Sequence, residues 1–334
     1  MTPIQVVQIG LGSLGLGIAQ NLFERRAAFR LVGAVDVDDR KIGRDVGDLA
    51  GLPVAMRVPV RGSLEEVLRR AKPDLAILAT VSDLRRIAPQ VEAIVAHRIP
   101  VVTTCEELSF PWKRAPRLAK RIDRAARAKR VAVLATGVNP GFLMDLLPLT
   151  LTAVCRRVDR VRVSRIQDAA FRREPFQKKI GAGLTLEEFA QKQATGELRH
   201  VGLAESAHMI AERLGWRLSR TEEILSPVVA RKTVHTPHLT LRRGMIAGVE
   251  QLGRGFVAGT ERITLLFRAS IGEPRPEDTV EILGEPRLVF TIPGGVNGDA
   301  ATCAIVLNAA RQVLHAPPGL RTMADIPPVS WFSG

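Results

Sequence analysis

The sequence predicts an α/β fold, a doubly wound parallel sheet in the first half followed by an α+β domain with a mostly antiparallel sheet. Three observations predict it. Short apolar runs alternate with helical patterns from Val6 to Gly137. A glycine-rich turn, Gly10-Leu11-Gly12-Ser13-Leu14-Gly15, sits between the first such run and the first helix. After about residue 150 the pattern changes to polar–apolar alternation, as in Val158–Asp168. Buried parallel strands read as continuous apolar runs, whereas half-exposed antiparallel strands alternate. At 334 residues the chain exceeds what one core usually serves, so more than one domain is expected.

Taken in order, Val6–Ile9 is the first strand and Ile18, Ala19, Leu22 and Phe23 mark the first helix. Leu31–Val35 is a second strand ending in Asp36, twenty-one residues after Gly15. A strand, a tight glycine turn, a helix and a second strand with a terminal acid are what a dinucleotide pyrophosphate requires. Gly10 makes the turn, Gly12 lets backbone approach phosphate, and Gly15 lets helix and strand pack closely. The helix start at Ser13 and Leu14 supplies N–H donors and positive dipole. Asp36 is placed to accept from an adenosine ribose, so the first domain reads as a Rossmann unit. Asp36 favours NAD, while Arg40 and Lys41 follow closely enough to offset it for NADP; NAD use with NADP tolerated is expected.

Ser63 and Glu66 form a helix-starting box, Leu75–Thr80 is a buried strand, and Leu84–Arg98 is helical with Pro89 near its start or at a kink. Val101–Cys105 and Val131–Gly137 are further strands. In the second half, Thr185–Gly196 is a helix with a Thr185/Glu188 box, and Ser206–Leu214 is a short helix. Strands are expected over Val228–Val234, Ile246–Val249, Ile263–Ser270, Thr279–Leu283 and Arg287–Ile292. The apolar helix Ala300–Leu314 is expected to return to the first domain. The expected division is 1–150 for dinucleotide binding, 151–296 for substrate and oligomerisation, and 297–334 as a returning helix and tail.

Composition narrows the function. No run approaches the ~20 apolar residues of a membrane helix, and there is no basic leader, so a cytoplasmic protein without membrane association is expected. The net charge of +14 invites a nucleic-acid reading. Yet in Lys113–Arg130 the apolar residues fall at helical spacing and no aromatic residues interleave, so the basic ones read as a solvated face and no nucleic-acid partner is expected. Three scattered cysteines give no disulfide framework and no zinc spacing. His200, His208, His235 and His238 offer no metal geometry, and no metal is expected. The absence of tyrosine removes one common proton donor of carbonyl reductases.

Ligands of open parallel sheets bind beyond the carboxyl ends of the strands. Four segments reach that rim: Gly10–Gly15, Thr80-Val81-Ser82, Thr104-Cys105-Glu106-Glu107 and Gly137–Gly141. Thr80, Ser82 and Cys105 are candidates for cofactor contact. Glu106 and Glu107 directly follow a buried strand where the nicotinamide is expected. Adjacent side chains diverge there, so one could face the reacting atoms while the other caps a helix or pairs with a base. A partly desolvated carboxylate suits proton transfer or holding an ammonium. Asn139 could orient substrate or simply build a turn before a helix. Phe142, Met144, Phe171 and Phe176 are candidate apolar walls that could equally be core. Arg165 and Gln167 end a strand and could face the cleft or form polar surface.

With these residues in view, the chain resembles the dihydrodipicolinate-reductase-like superfamily, and more closely the 2,4-diaminopentanoate dehydrogenase and native amine dehydrogenase family. The resemblance rests on Gly10–Gly15, Asp36 with Lys41–Gly47, Val101–Pro111, Thr136–Phe142, Pro175–Gly183 and Asn297-Gly298-Asp299, covering nearly the full length. It implies NAD(P)-linked oxidative deamination of a small amine or diamine, and in reverse reductive amination of a ketone or aldehyde with ammonia. It also implies a glutamate after this strand that holds ammonia and handles protons; Glu106 takes that position, with Glu107 as fallback. The His-His-x-x-Lys segment of true dihydrodipicolinate reductases is absent, and Asn297 stands where a histidine is expected. The alternatives are a reductase of another small carbonyl or amino-acid-derived substrate, and a dinucleotide-sensing regulator. The exposed antiparallel sheet suggests a homodimer.

Overall fold

Five apolar runs become parallel strands, β1 (Ile4–Ile9), β2 (Phe29–Val35), β4 (Leu75–Leu78), β5 (Val101–Thr103) and β6 (Ala132–Ala135), and a two-residue strand that the sequence pattern did not mark, β3 (Val60–Arg61), pairs with β2. The computed structural model describes residues 2–170, 172, 174–198 and 201–333. Between the strands lie α1 (Ser13–Glu24), α2 (Val46–Leu49), α3 (Leu64–Leu68), α4 (Leu84–Ala96) and α5 (Pro116–Lys129). α1 buries Gly15, Ile18, Ala19 and Leu22, the i, i+3, i+4, i+7 stripe of a surface helix. Burying each such Leu or Ile contributes about 1.5–3 kcal/mol before entropy is counted. Pro89 lies inside α4, not at its start. α5 buries only Ala119, Ile122 and Ala126 and turns its basic residues outward, with Arg121 paired to Glu92 and Arg127 to Asp123.

The second half begins with α6 (Leu146–Leu151), β7 (Arg157–Asp168), α7 (Glu174–Lys179), α8 (Leu186–Ala194) and α9 (Leu203–Arg213). The strands β8 (Arg220–Val229), β9 (Val234–His235), β10 (Thr240–Leu241), β11 (Ile246–Val257), β12 (Thr260–Ser270), β13 (Glu277–Glu285) and β14 (Leu288–Pro293) follow. The Thr185/Glu188 capping box forms as the sequence predicts. The chain then enters α10 (Gly298–His315) and β15 (Gly319–Arg321). The sequence reading missed β15 because three residues after two prolines give no periodicity to count.

Among the described residues the first sheet has the order β15-β6-β5-β4-β1-β2-β3, with every pairing parallel. The strand order reverses between β1 and β4, the switch point at which such sheets bind ligands. Because the strands are parallel, the segments after β1, β4, β5 and β6 share one rim. The second sheet has the order β14-β13-β7-β12-β11-β8, antiparallel except for β7 with β12. α9 packs on β8, β11 and β12. The chain divides into two units, Met1–Phe142 with Asn297–Gly334, and Leu143–Val296. In the first, α10 packs on α1 and on β4 to β6. Among the described residues no helix is long and apolar enough to cross a membrane.

Candidate functional site

The glycine turn is built mainly from backbone. Gly10 has φ +91°, the left-handed region where a side chain is strained, and a Cβ there would strike the Ala79 carbonyl. A Cβ on Gly15 would strike the Gly10 carbonyl, so only glycine lets α1 start this close to β1. Gly12 is the reverse case: nothing lies within 4 Å of the position its Cβ would take, and it stands exposed at the N-cap of α1 with no side chain to cap it. The first-turn N–H groups, with exposed Ser13 and half-buried Leu14, therefore present a donor cradle with positive dipole to an incoming anion. Beneath it the buried Gln8 amide donates to the carbonyls of Gly15 (2.5 Å) and Gly10 (3.4 Å) and staples the turn. Open space at Gly12 and close packing at Gly10 and Gly15 fit a dinucleotide pyrophosphate.

Asp36, buried at the end of β2, accepts from the backbone N–H of Leu11 (2.7 Å) and Asp38 (2.9 Å) and from Lys41 Nζ (3.2 Å). Burial alone would push its carboxyl up, but those N–H groups and the Lys41 ammonium hold it below the usual carboxylate value. Arg40 is committed elsewhere. Its guanidinium forks onto Asp38 at 2.9 Å through two bonds and holds that carboxyl down at about 2.

On the neighbouring rim segments, Thr80 donates to Gln90 (2.9 Å) at the surface. Ser82 offers its carbonyl to the Cys105 thiol (3.1 Å) and the Glu107 N–H (3.4 Å). Cys105 is buried, and burial pushes its thiol up; only its backbone reaches the rim. Glu106 and Glu107 open a single turn of 3-10 helix over Glu106–Leu108 and are half-buried. Their side chains differ in use. A Glu107 carboxylate oxygen accepts from the backbone N–H of Leu84 (2.9 Å), the first residue of α4, whose cap Asp83 accepts from Arg86. Two carboxylates thus serve that helix start. Glu106 lends its backbone carbonyl to Ser109, through the N–H (3.1 Å) and the hydroxyl (2.7 Å), fixing the turn that carries it. Asn139 is buried in the turn after β6, where the Val138 N–H donates to Thr302 of α10 (3.2 Å), and Phe142 is half-buried. Asn297 caps α10, accepting from Asp299 and Ala300.

In the second unit Arg165 and Gln167 are not polar surface: they are 2% and 7% exposed. Both lie on the inward phase of β7 with Val161 and Val163. Asp278 occupies the matching phase of β13 with Val280 and Ile282, and the register sets it opposite Arg165. Arg165 Nε lies 3.6 Å from Asp278, and Arg165 and Gln167 both donate to the Val296 carbonyl (2.9 and 3.0 Å). Asp278 accepts the Val296 N–H at 2.7 Å, so the backbone of one residue, Val296, is held at both its N–H and its carbonyl. Burial pushes the Asp278 carboxyl up, with Arg165 and the Val296 N–H opposing. Buried Arg172 donates to Gln167 (3.1 Å) and stacks its guanidinium 4.0 Å from the Phe176 ring centroid. Sequence reasoning missed Asp278 and Arg172. The signal for Asp278 was present, an acid and a base each on the apolar phase of its strand. Met144 is wholly buried, as core residues are, while Phe171 and His200 lie outside the described residues. Among the described residues no cluster of three His, Cys, Asp or Glu could hold a metal.

A model of the 2,4-diaminopentanoate dehydrogenase C-terminal domain matches residues 142–333. The chain belongs to the 2,4-diaminopentanoate dehydrogenase family. It is 32% identical over 335 residues to the 2,4-diaminopentanoate dehydrogenase of Acetoanaerobium sticklandii, an alignment covering 98% of this chain and 94% of that one. It is also 24% identical over 349 residues to an amine dehydrogenase of Streptomyces virginiae, covering 97% and 96%. The fold of this chain is similar to that of the solved amine dehydrogenase of Mycobacterium smegmatis, at TM-score 0.87 and 23% identity, covering 99% of this chain and 98% of that one.

Proposed function

We propose that the chain is an NAD-linked amine dehydrogenase that deaminates a small amine or diamine oxidatively and, in reverse, aminates a ketone or aldehyde with ammonia. The observation that carries this reading is the carboxylate pair at the carboxyl end of β5, on the rim that also bears the glycine turn, in a chain of this family. The dinucleotide, when bound, supplies hydride exchange. The chain's own work is electrostatic and protonic. The α1 start and Gly12 bind pyrophosphate and Asp36 accepts from ribose. Glu107 holds the loop of Ser82 and Leu84 in place. Glu106 is assigned to hold ammonia or ammonium and to move its proton, stabilising positive charge where the iminium carbon accepts hydride.

NAD is favoured over NADP on two grounds. Asp36 would repel a 2′-phosphate, and Arg40 is turned onto Asp38 and would have to leave that ion pair to meet one. Lys41 beside Asp36 leaves NADP tolerated. A homodimer is supported by the face of the second sheet opposite α9, where half-exposed Leu252 and Leu266 and 45%-exposed Ile224 form a cross-strand apolar row.

NADH oxidation measured with a panel of small ketones and aldehydes, each with and without concentrated ammonium at alkaline pH, tests the reaction. Turnover that requires ammonium supports it. Turnover equal without ammonium makes the chain a carbonyl reductase and overturns it.

A further inference from the structure

Taking the glycine turn as the pyrophosphate cradle, we propose that Gln8 is a positioning residue for the dinucleotide: from beneath the turn, its side-chain amide fixes the peptide that joins the cradle to the ribose acid Asp36. Gln8 lies on β1, a strand paired on both sides, opposite Ala34 of β2 and Ile77 of β4. Val6 and Val7 before it are wholly buried, and Gln8 is wholly buried too. An amide at such a position is unfavourable unless its hydrogen bonds offset the lost hydration. Among the described residues the Gln8 side chain bonds only to the turn. Nε2 donates to the Gly15 carbonyl (2.5 Å) and, at longer range, to the Gly10 carbonyl (3.4 Å), while Oε1 has no donor among the described residues. Two carbonyls facing one amide fix its orientation, because an oxygen turned toward them would repel both.

The bond to Gly10 is the longer of the two, and it is the one that reaches the ribose acid. The Gly10 carbonyl and the Leu11 N–H are the two ends of a single peptide unit, and the Leu11 N–H donates to Asp36 (2.7 Å). Gln8 therefore holds one end of that unit and Asp36 the other. The residue is anchored on its other side as well, the Gly10 N–H donating to the Val35 carbonyl (2.9 Å). The bond to Gly15 ties the same amide to the first turn of α1, where a Cβ on Gly15 would come within 3.1 Å of Nε2. One side chain thus links the strand end, the first peptide of the turn and the helix whose N–H groups face the phosphates. Gly10 has φ +91° and no Cβ to restrain its backbone, so the direction of that peptide is set by what grips it. A methionine at position 8 fills the same space but holds no carbonyl. The peptide is then free to turn the Leu11 N–H away from Asp36, and the α1 start loses its tie to β1.

Calorimetric titration with NADH tests the assignment, since it reads binding whether or not an amine turns over. Gln8→Met keeps the side-chain length and removes the donor. It is expected to bind NADH about tenfold more weakly than wild type, with a urea midpoint near wild type. Ile122→Val, one methylene shorter in the buried core at α5, is expected to lower the midpoint and leave NADH affinity unchanged. Coupling to Asp36 is the readout that a merely structural role would not move. Because both side chains act through one peptide, Gln8→Met/Asp36→Ala is expected to bind NADH no more than about threefold more weakly than Asp36→Ala alone. Equal affinity of Gln8→Met and wild type overturns the role of Gln8. So does a loss that persists in full on the Asp36→Ala background, or one that Ile122→Val reproduces. Wild type that does not bind NADH overturns the cradle itself, and the role of Gln8 with it.

Discussion

The cradle after β1 and the polar cluster at the end of β7 both hold polar groups in place, by opposite means. In the cradle the donors are mainly backbone N–H groups at a helix start, and the residues that matter most are glycines that remove side chains. In the cluster the donors are side chains, Arg165 and Gln167 drawn inward on β7 and Arg172 beyond its end, with Asp278 answering Arg165 across the register. The first arrangement leaves its donors facing outward; the second spends its donors on its own chain, at the Val296 carbonyl and on the Gln167 side chain. A site made of backbone is ready for a ligand, whereas a site made of buried charge depends on every member being present.

The largest expected effect lies on the cradle side of this contrast. Glu106→Gln should lower turnover by about 10²–10⁴-fold while NADH affinity stays near wild type. Wild-type turnover in that variant moves the catalytic assignment to Glu107. In the cluster, Asp278→Ala removes the carboxylate that the register sets opposite the buried Arg165 guanidinium and should destabilise the second unit by about 3–5 kcal/mol. Urea unfolding followed by Trp216 fluorescence in a Trp112→Phe/Trp331→Phe background reads this, and an unchanged midpoint would show the pair to be dispensable. Gly15→Ala forces α1 away from β1 and should cost about 1–3 kcal/mol and weaken NADH binding. Glu107→Gln keeps an oxygen for the Leu84 N–H and should cost only about 0.5–1.5 kcal/mol.

Acidity separates the two regions by sign. Asp36 has a depressed carboxyl, so its contribution to stability is present above the ordinary aspartate value of about 4 and is lost as pH falls through its folded value. Asp278 has a raised one, so its contribution is present below about pH 4 and is lost as pH rises through its folded value. Unfolding curves of Asp36→Asn and Asp278→Asn against wild type, taken from pH 3 to 7, should therefore diverge in opposite directions.

The same contrast explains what the sequence disclosed. The cradle lies within Gly10–Asp36, and each of its requirements names a residue type, so it was legible as a contiguous pattern. That the first sheet is parallel and doubly wound followed from the alternation of runs and helices, whereas its strand order did not. The cluster draws on residues 165, 167, 172, 278 and 296, and its logic appears only once the β7–β13 register is known. The division of labour between Glu106 and Glu107 was open for a related reason. Both occupy the same turn, and only the placement of Leu84, twenty-three residues upstream, assigns one carboxylate to a helix start.

β15 pairs with β6 at the edge of the first sheet, yet its residues follow the whole of the second unit in the chain. Synthesis from the N-terminus therefore delivers every residue of Leu143–Val296 before α10 and β15 emerge. The second unit can complete itself on the ribosome while β6 still shows an open edge and α1 still lacks α10. The part of the enzyme that begins first is finished last, and the nascent chain must keep that edge from pairing with a neighbour until Gly319–Arg321 arrives.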